Sequence, residues 1–144
     1  MPIRGKAIVI IRNEDRFLFT VCFDSEKQEV FYIPVGGGIE FGEYSADAAA
    51  REALEETGHE VTNLQLLGIT ENIFRYNSKD EHEILFTYLA DFKDPAAYTS
   101  LNAGLDIDGN TIELTWATID EVAERKVRVY PSSLLEILQA ITLR

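Results

Sequence analysis

GGIEFGEYSADAAAREALEETGH, residues 37–59, is the stretch of this chain that says most about its fold. Its second half is rich in alanine and glutamate, which favour helix. Ser45 suits the N-cap, Asp47 places negative charge in the first turn, and Gly58 suits the left-handed residue that ends a helix. The stretch therefore predicts a helix over residues 45–57.

Three glutamates share one face of this predicted helix. At roughly 100° per residue, Glu52, Glu55 and Glu56 fall on the same side, where each close pair of carboxylates costs about 0.2–0.5 kcal/mol. Clustered carboxylate oxygens are the ligands that Mg²⁺ or Mn²⁺ requires, although an acidic helix face is more often simply solvated. The opposite side is expected to pack and holds Ala46, Ala50, Ala53 and Leu54.

A glycine-rich segment, PVGGGIEFGE at residues 34–43, leads directly into the helix. Glycine lets the backbone approach a ligand closely, and this composition predicts a turn. Backbone carbonyls of the turn and carboxylates of the helix can therefore converge on one point, which favours the metal interpretation over a solvated face.

Together these residues resemble the Nudix box, whose pattern is Gly, five residues, Glu, seven residues, Arg-Glu, an apolar residue, any residue, Glu-Glu, any residue, Gly and an apolar residue. The chain departs from it at His59, which takes the last apolar position, and at Val35, which separates Pro34 from the glycines. The matching positions are Gly37, Glu43, Arg51, Glu52, Ala53, Glu55, Glu56 and Gly58.

The resemblance implies an α/β fold in which a mixed β-sheet is flanked by helices, an α/β/α sandwich, within a single domain at residues 1–144. It also implies divalent-metal-dependent hydrolysis of a pyrophosphate linkage in a nucleoside diphosphate derivative. That derivative is a nucleoside triphosphate or a nucleoside diphosphate linked to another moiety. The expected cofactor is Mg²⁺, with Mn²⁺ as a substitute. The alternative is a Nudix-fold module that binds a nucleotide without cleaving it, and a diphosphate isomerase is a third reading.

The resemblance also implies which residues hold the metal. Glu52, Glu55 and Glu56 are the expected carboxylate ligands, and a backbone carbonyl of the glycine segment is an additional one. Gly37 is the preferred source of that carbonyl. Because Val35 shifts the segment relative to the family pattern, Gly36 and Gly38 stay open as alternative sources of the carbonyl.

Arg51 and Glu43 are expected to play a different part. A pair between the Arg51 guanidinium on the helix and the Glu43 carboxylate in the preceding loop would fix the geometry of the box. The alternative for Arg51 is a simple pair with Glu55, four residues later on the helix.

A carboxylate outside the box is expected to complete the site as a ligand or general base. Glu83, which enters an apolar strand, is the first candidate, and Glu113, shortly before Trp116, is the second. For each, an ordinary exposed glutamate is an equally good interpretation. His82 is expected to be a polar residue at the end of a strand rather than a ligand.

Composition limits the partners. The formal net charge of −12 and a pI near 4.5 exclude a broad nucleic-acid-binding face, which needs clustered Lys and Arg, but not a small phosphorylated substrate. No residue is singled out for substrate recognition. The candidates for phosphate contact are Arg4, Arg12, Lys27, Arg75 and Lys79, and those for base stacking are Phe31, Tyr32, Phe74, Tyr76, Tyr88, Trp116 and Tyr130.

Cys22 is the only cysteine, so no disulfide can form within the chain, and its apolar neighbours predict a small core residue rather than a nucleophile. No segment has the ~18 consecutive apolar residues of a membrane-spanning helix, and the N-terminal residues lack the layout of a signal peptide. These features predict a cytoplasmic protein without a membrane partner, and a homodimer is left open.

The remaining pattern predicts strands interleaved with helices. The predicted strands cover residues 7–11, 17–23, 30–34, 63–75 (as one or two strands), 83–92 and 112–118. Two further helices are predicted at residues 119–125 and 131–143, whereas residues 93–111 are expected to be irregular, with a turn at 106–110.

Overall fold

The structure, a computed structural model, describes residues 2–99 and 112–143. The strands are β1 Arg4–Asn13, β2 Arg16–Asp24, β3 Glu29–Ile33, β4 Val35–Gly38, β5 Val61–Tyr76, β6 Lys79–Phe92, β7 Leu114–Ala117 and β8 Arg128–Val129. The helices are α1 Ser45–Thr57, α2 Ile119–Glu124 and α3 Leu134–Thr142, with a 3₁₀ turn at Pro95–Tyr98. The turn predicted at residues 106–110 lies outside the described residues.

The strands form one mixed sheet. Its order is β5-β6-β1-β2-β3-β8, with β4 paired to β1 and β7 paired to β2. The β1–β6 and β3–β8 pairs are parallel and the others antiparallel. Helix α1 packs on one side of this sheet, and α2 and α3 pack against a second core on the other. The predicted α/β sandwich is confirmed.

Strands β1 and β2 stay together for only a short distance. They pair at Arg12 with Phe17 and at Asn13 with Arg16, next to the turn that joins them. Beyond this point β1 pairs with β4 and β6, whereas β2 pairs with β3 and β7. The sheet therefore splits into two halves that diverge from a common corner.

Two hairpin tips from the diverging halves meet again at the other end. The β5–β6 tip donates from Arg75 to the Glu26 carboxylate (Nε–Oε1 3.0 Å), and Ser78 donates to the same carboxylate (2.7 Å). Asn77 Oδ1 accepts from the Ser25 backbone N–H at 2.7 Å, and the Lys27 ammonium donates to the Arg75 carbonyl at 3.0 Å. These contacts, which we call the hairpin clasp, join the β2–β3 turn to the β5–β6 turn.

Helix α1 has the predicted bounds, and Gly58 ends it in a left-handed conformation (φ 77°). Asp47 lies in the first turn as predicted, but the predicted N-cap was wrong. Tyr44 occupies the N-cap position, and the Ser45 hydroxyl shares a hydrogen bond with the Tyr88 hydroxyl (2.6 Å) instead of capping the helix. The Ser45 side chain therefore joins the start of the helix to the sheet, and no described side chain caps the helix.

The packing face of α1 also differs from the prediction. The alanines that are fully buried against the sheet are Ala48, Ala49 and Ala53, whereas Leu54 is 44% exposed. Periodicity gives the angle between side chains but does not say which side meets the sheet. The side of the helix that meets the sheet lies between the predicted packing face and the face that carries the glutamates.

Strand β4 was predicted as a turn. Its glycines have no strand preference, but Lys6, Ala7 and Ile8 of β1 pair with them in register. The two-residue strand β8 is too short to leave a periodic pattern, and residues 63–75, for which one or two strands were predicted, lie within the single strand β5.

The helices of the described residues are short. The longest, α1, has 13 residues, and α3 has nine. None of them combines the length and apolar content that crossing a membrane requires.

Replacing Gly36 is expected to damage the sheet. A Cβ there would lie 2.7 Å from the Ile8 Cα and closer still to the Ala7 carbonyl, and φ is +153°. We expect Gly36→Ala to lower the free energy of unfolding by about 2–4 kcal/mol in urea titrations. Gly68→Ala is the control, because a Cβ meets nothing within 4 Å at that strand position. Equal losses in the two variants would contradict this account.

Candidate active site

A cavity of about 660 Å³ lies between the two halves of the sheet. Alternate residues of β1 form part of its wall: Arg4, Lys6 and Ile8 line the cavity, whereas Ala7 and Val9 pack in the core beneath α1. The opposite wall comes from β2 and β3. Gly36 and Gly37 of β4 and the residue Glu56 border the same space, so the cavity reaches the acidic face of α1.

Glycines allow the carboxylates of α1 to reach β4. The Gly36 backbone N–H donates to Glu56 Oε1 at 2.7 Å. At Gly37, the space of a missing side chain is filled by Glu52, since a Cβ there would lie 2.6 Å from its carboxylate carbon. Glu56 is consequently only 8% exposed. The predicted ligands Glu52 and Glu56 are thus held against the strand, while Glu55 is exposed.

Burial changes the acidity of these carboxyl groups. The pKa of Glu56 is raised to about 8, mainly by burial and also by the charges of Glu52 and Glu55, although the hydrogen bond from Gly36 lowers it. Burial also raises the pKa of Glu52, against the lowering effect of Arg51. Burial therefore disfavours the ionised form of both carboxyl groups, and Arg51 offsets this only at Glu52.

The guanidinium of Arg51 lies at the centre of the box. It forms a two-pronged pair with Glu43, with both N–O distances 2.9 Å, and donates to the Gly38 carbonyl at 3.0 Å. The remaining nitrogen donates to Glu52 at 3.0 Å and lies 3.4 Å from Glu55. Both contacts considered for Arg51 therefore exist, and the shorter and better aligned one is with Glu43.

No three His, Cys, Asp or Glu side chains form a ready-made metal cluster within residues 2–99 and 112–143. Arg51 and the Gly36 N–H take up carboxylate oxygens that a cation would use. The donor set nevertheless fits a divalent cation. The space at Gly37 admits the Glu52 carboxylate, and burial together with the charges of Glu52 and Glu55 raises the pKa of Glu56, an effect that a bound cation would oppose.

Glu83, the first candidate outside the box, lies in the cavity wall. It is 5% exposed and forms an ion pair with Lys6 (Nζ–Oε2 2.5 Å). The ordinary exposed glutamate considered in its place is therefore excluded. His82, its neighbour, lies 3.8 Å from Glu71 across the β5–β6 pair, consistent with a polar strand residue.

Glu113 and Cys22 also border the cavity. Glu113 is exposed, and its backbone carbonyl accepts from the Val21 N–H at 2.9 Å. Cys22 is half-buried at the cavity wall instead of lying fully in the core, and burial, followed by the charge of Glu56, raises its thiol pKa to about 11. Cys22 is therefore a poor nucleophile at neutral pH, which weakens the isomerase reading.

The aromatic candidates divide by position. Tyr32 and Tyr88 are core residues, and Trp116 packs beside Tyr98. The rings that border the cavity form an edge-to-face cluster and are Phe31, Phe74, Tyr76 and Tyr130.

Residues 2–136 match the family model described as the NUDIX domain. The chain belongs to that family. Nudix membership supports the predicted enzyme class, a pyrophosphohydrolase. The box therefore lies within a family match that spans most of the chain rather than in an isolated matching segment.

Solved structures show the same fold. The chain is similar to a NUDIX hydrolase from Nitrosomonas europaea (24% identity, TM-score 0.67), with 94% of this chain and 86% of that chain covered. It is also similar to a hydrolase of the NUDIX family from Clostridium perfringens (20%, 0.68), with 99% of both chains covered. A MutT NUDIX hydrolase from Burkholderia pseudomallei has 23% identity and a TM-score of 0.64, with 84% of this chain and 87% of that chain covered.

Sequence reasoning missed Lys6 as the partner of Glu83. The two residues lie far apart in the chain and meet because β1 and β6 pair in parallel. A weak signal existed, since Arg4 and Lys6 share one face of the strand, whereas the apolar Ala7 and Val9 lie on the other. That alternation indicates a polar lining on one face of an otherwise buried strand.

The pair of Glu43 with Arg51 predicts a response to acid. This hydrogen bond lowers the pKa of Glu43 from 4.5 to about 2. A lowered folded-state pKa contributes stability above pH 4.5 that is lost as the pH falls toward 2. Glu43→Gln removes that contribution, so its urea midpoint should fall less than the wild-type midpoint between about pH 5 and pH 2.5. Glu60→Gln, at an exposed position, is the surface control, and parallel curves for Glu43→Gln and wild type would refute the prediction.

Gly37→Ala should weaken metal binding with little effect on the fold. The new Cβ would displace the end of the Glu52 side chain, which is flexible, rather than the backbone. We expect about a tenfold loss of Mn²⁺ affinity, measured by calorimetry, and a change of less than about 1 kcal/mol in the free energy of unfolding. Unchanged affinity would show that the Glu52 position at Gly37 is irrelevant to metal.

Proposed function

We propose that this protein is a divalent-metal-dependent hydrolase that cleaves a pyrophosphate linkage in a nucleoside diphosphate derivative. The substrate is a nucleoside triphosphate or a nucleoside diphosphate linked to another moiety. The observation that carries the proposal is the position of Glu56, buried against Gly36 at the border of the cavity with a raised pKa. A buried carboxylate beside two other carboxylates, without a described cationic side chain in contact with it, is suited to binding a cation.

Glu52, Glu55 and Glu56 are the residues proposed to hold Mg²⁺ or Mn²⁺, with the Gly37 carbonyl as the additional ligand. When bound, the cation neutralises phosphate charge and lowers the pKa of a coordinated water. Arg51 and Glu43 position the elements that carry the ligands. Their two-pronged pair ties the loop before α1 to the helix, and the bond from Arg51 to the Gly38 carbonyl ties both to β4.

Glu83 is the proposed general base. Its carboxylate is buried in the cavity wall, and its charge is balanced by Lys6. Glu113 is the second candidate, since it borders the same cavity but is exposed to solvent. Positioning favours Glu83, because a buried carboxylate is held by its surroundings.

The nucleoside part of the substrate is supported by the aromatic cluster at the cavity. Phe31, Phe74, Tyr76 and Tyr130 offer ring edges and faces of the kind on which a base stacks. A cytoplasmic location remains a prediction from the sequence.

The decisive experiment is phosphate and pyrophosphate release from a nucleotide panel, with Mg²⁺ or Mn²⁺ and with chelator. The panel contains nucleoside triphosphates, ADP-ribose, NADH and diadenosine polyphosphates. We expect metal-dependent turnover that falls by about a hundredfold or more in Glu56→Gln. Glu60→Gln, an exposed change beyond the helix, should retain the wild-type rate.

The result also decides between the two readings of the family. A chain that binds one of these nucleotides without metal and cleaves none would be the catalytically silent binding module. Turnover unchanged by chelator or by Glu56→Gln would contradict the proposed site. A parallel test with Glu83→Gln and Glu113→Gln assigns the base, because its loss lowers kcat and flattens the acidic limb of the pH–rate profile.

A further inference from the structure

Five cationic side chains line the cavity, and four of them already have anionic or carbonyl partners. Lys6 pairs with Glu83, and Arg128 with Glu29 at 3.1 Å. Arg75 and Lys27 belong to the hairpin clasp, where their charges are used between the two turns. The fifth is Arg4.

Arg4 differs from the other four. Among residues 2–99 and 112–143 its side chain has no hydrogen bond and no ion pair, and the residue is exposed. It begins β1, two residues before Lys6 on the same face of the strand. One nitrogen of its guanidinium lies 3.9 Å from the position that a Cβ would take at Gly38. Arg4 therefore lies at the cavity wall beside the glycines of the box.

The other candidates for phosphate contact either lie away from the cavity or already have partners. Arg12 donates to the Ile141 carbonyl at the opposite core, and Lys79 does not border the cavity. Lys27 and Arg75 would have to release the hairpin clasp before they could bind a ligand. Arg4 can bind without breaking any described contact.

The charge of the cavity makes such a cation necessary. Its wall carries more carboxylates than cations, and Glu52 and Glu55 add negative charge at the box. A pyrophosphate group brings further negative charge toward this wall. A guanidinium free of internal partners presents several N–H donors in a planar fork that matches two phosphate oxygens.

We propose that Arg4 binds a phosphate group of the substrate at the cavity wall beside Gly38. The proposal rests on the proposed function for the identity of its ligand, a pyrophosphate or the phosphates of a nucleotide. Arg4 positions the substrate and takes no part in proton transfer. Its effect should therefore fall on substrate affinity more than on the rate of the chemical step.

The test measures pyrophosphate binding by calorimetry in Mg²⁺, with wild type, Arg4→Gln, Arg4→Lys and Arg128→Gln. We expect Arg4→Gln to weaken binding by about tenfold or more, and Arg4→Lys by less, because the lysine retains charge but loses the fork. Arg128→Gln changes a paired arginine of the same cavity and should alter affinity less than about threefold. The urea midpoint of Arg4→Gln should equal that of wild type, since Arg4 supports no described contact.

A kinetic arm uses the best substrate of the nucleotide panel. Arg4→Gln should raise KM by about tenfold and leave kcat within about threefold. Wild-type affinity and KM in Arg4→Gln would overturn the proposal while leaving the hydrolase intact, as would equal losses in Arg4→Gln and Arg128→Gln. If wild type cleaves nothing, the proposed function fails, and the binding arm alone decides on Arg4: a selective loss supports the site, and no pyrophosphate binding by wild type refutes it.

Discussion

The close approach of helix α1 to strand β4 depends on two positions without side chains. At Gly36 a backbone N–H reaches the Glu56 carboxylate, and at Gly37 the empty side-chain space admits Glu52. Any larger residue at Gly36 would collide with the backbone of β1, so the strand, the helix and the carboxylates are fixed by one steric condition. The metal site that we propose is therefore a property of the packing between two elements, not of the helix alone.

The same packing creates an electrostatic problem that Arg51 reduces. Glu43, Glu52 and Glu55 surround one guanidinium, which lowers the cost of bringing their charges together. Glu56 lies beyond direct contact with that guanidinium and keeps a raised pKa. The box thus contains three carboxylates that contact the guanidinium and one that does not. This division supports a structural part for Glu43 and a ligand part for Glu56.

How far the sequence predicts the structure varies by element. The bounds of α1 follow from helix-forming residues and a terminal glycine, and most long strands follow from apolar and β-branched runs. Strand β4 could not be predicted, since glycine carries no strand preference and its pairing partner, β1, is distant in the chain. The exposure of Leu54 was missed because periodicity fixes angles within a helix but not its orientation on a sheet.

The candidate site shows the same limit. Eight matching positions identify the box residues, and the Arg51–Glu43 pair was expected from the resemblance that they carry. The Lys6–Glu83 pair could not, because it depends on which strands become neighbours. The sequence also could not predict that the Arg4 side chain has no described partner. Which cations of the cavity are paired follows from the folded structure alone.

The hairpin clasp has a consequence for how the cavity meets a ligand. The two halves of the sheet are joined at one end by the β1–β2 turn and at the other by the contacts of Glu26, Arg75 and Asn77. The walls between these two joints are held apart at a set width before any ligand arrives. Because the cavity is already formed, little free energy is lost in ordering it when a ligand binds. More of the contact energy therefore contributes to affinity. Breaking the hairpin clasp would therefore weaken binding by letting the walls of the cavity move, a cost separate from any contact that the ligand makes.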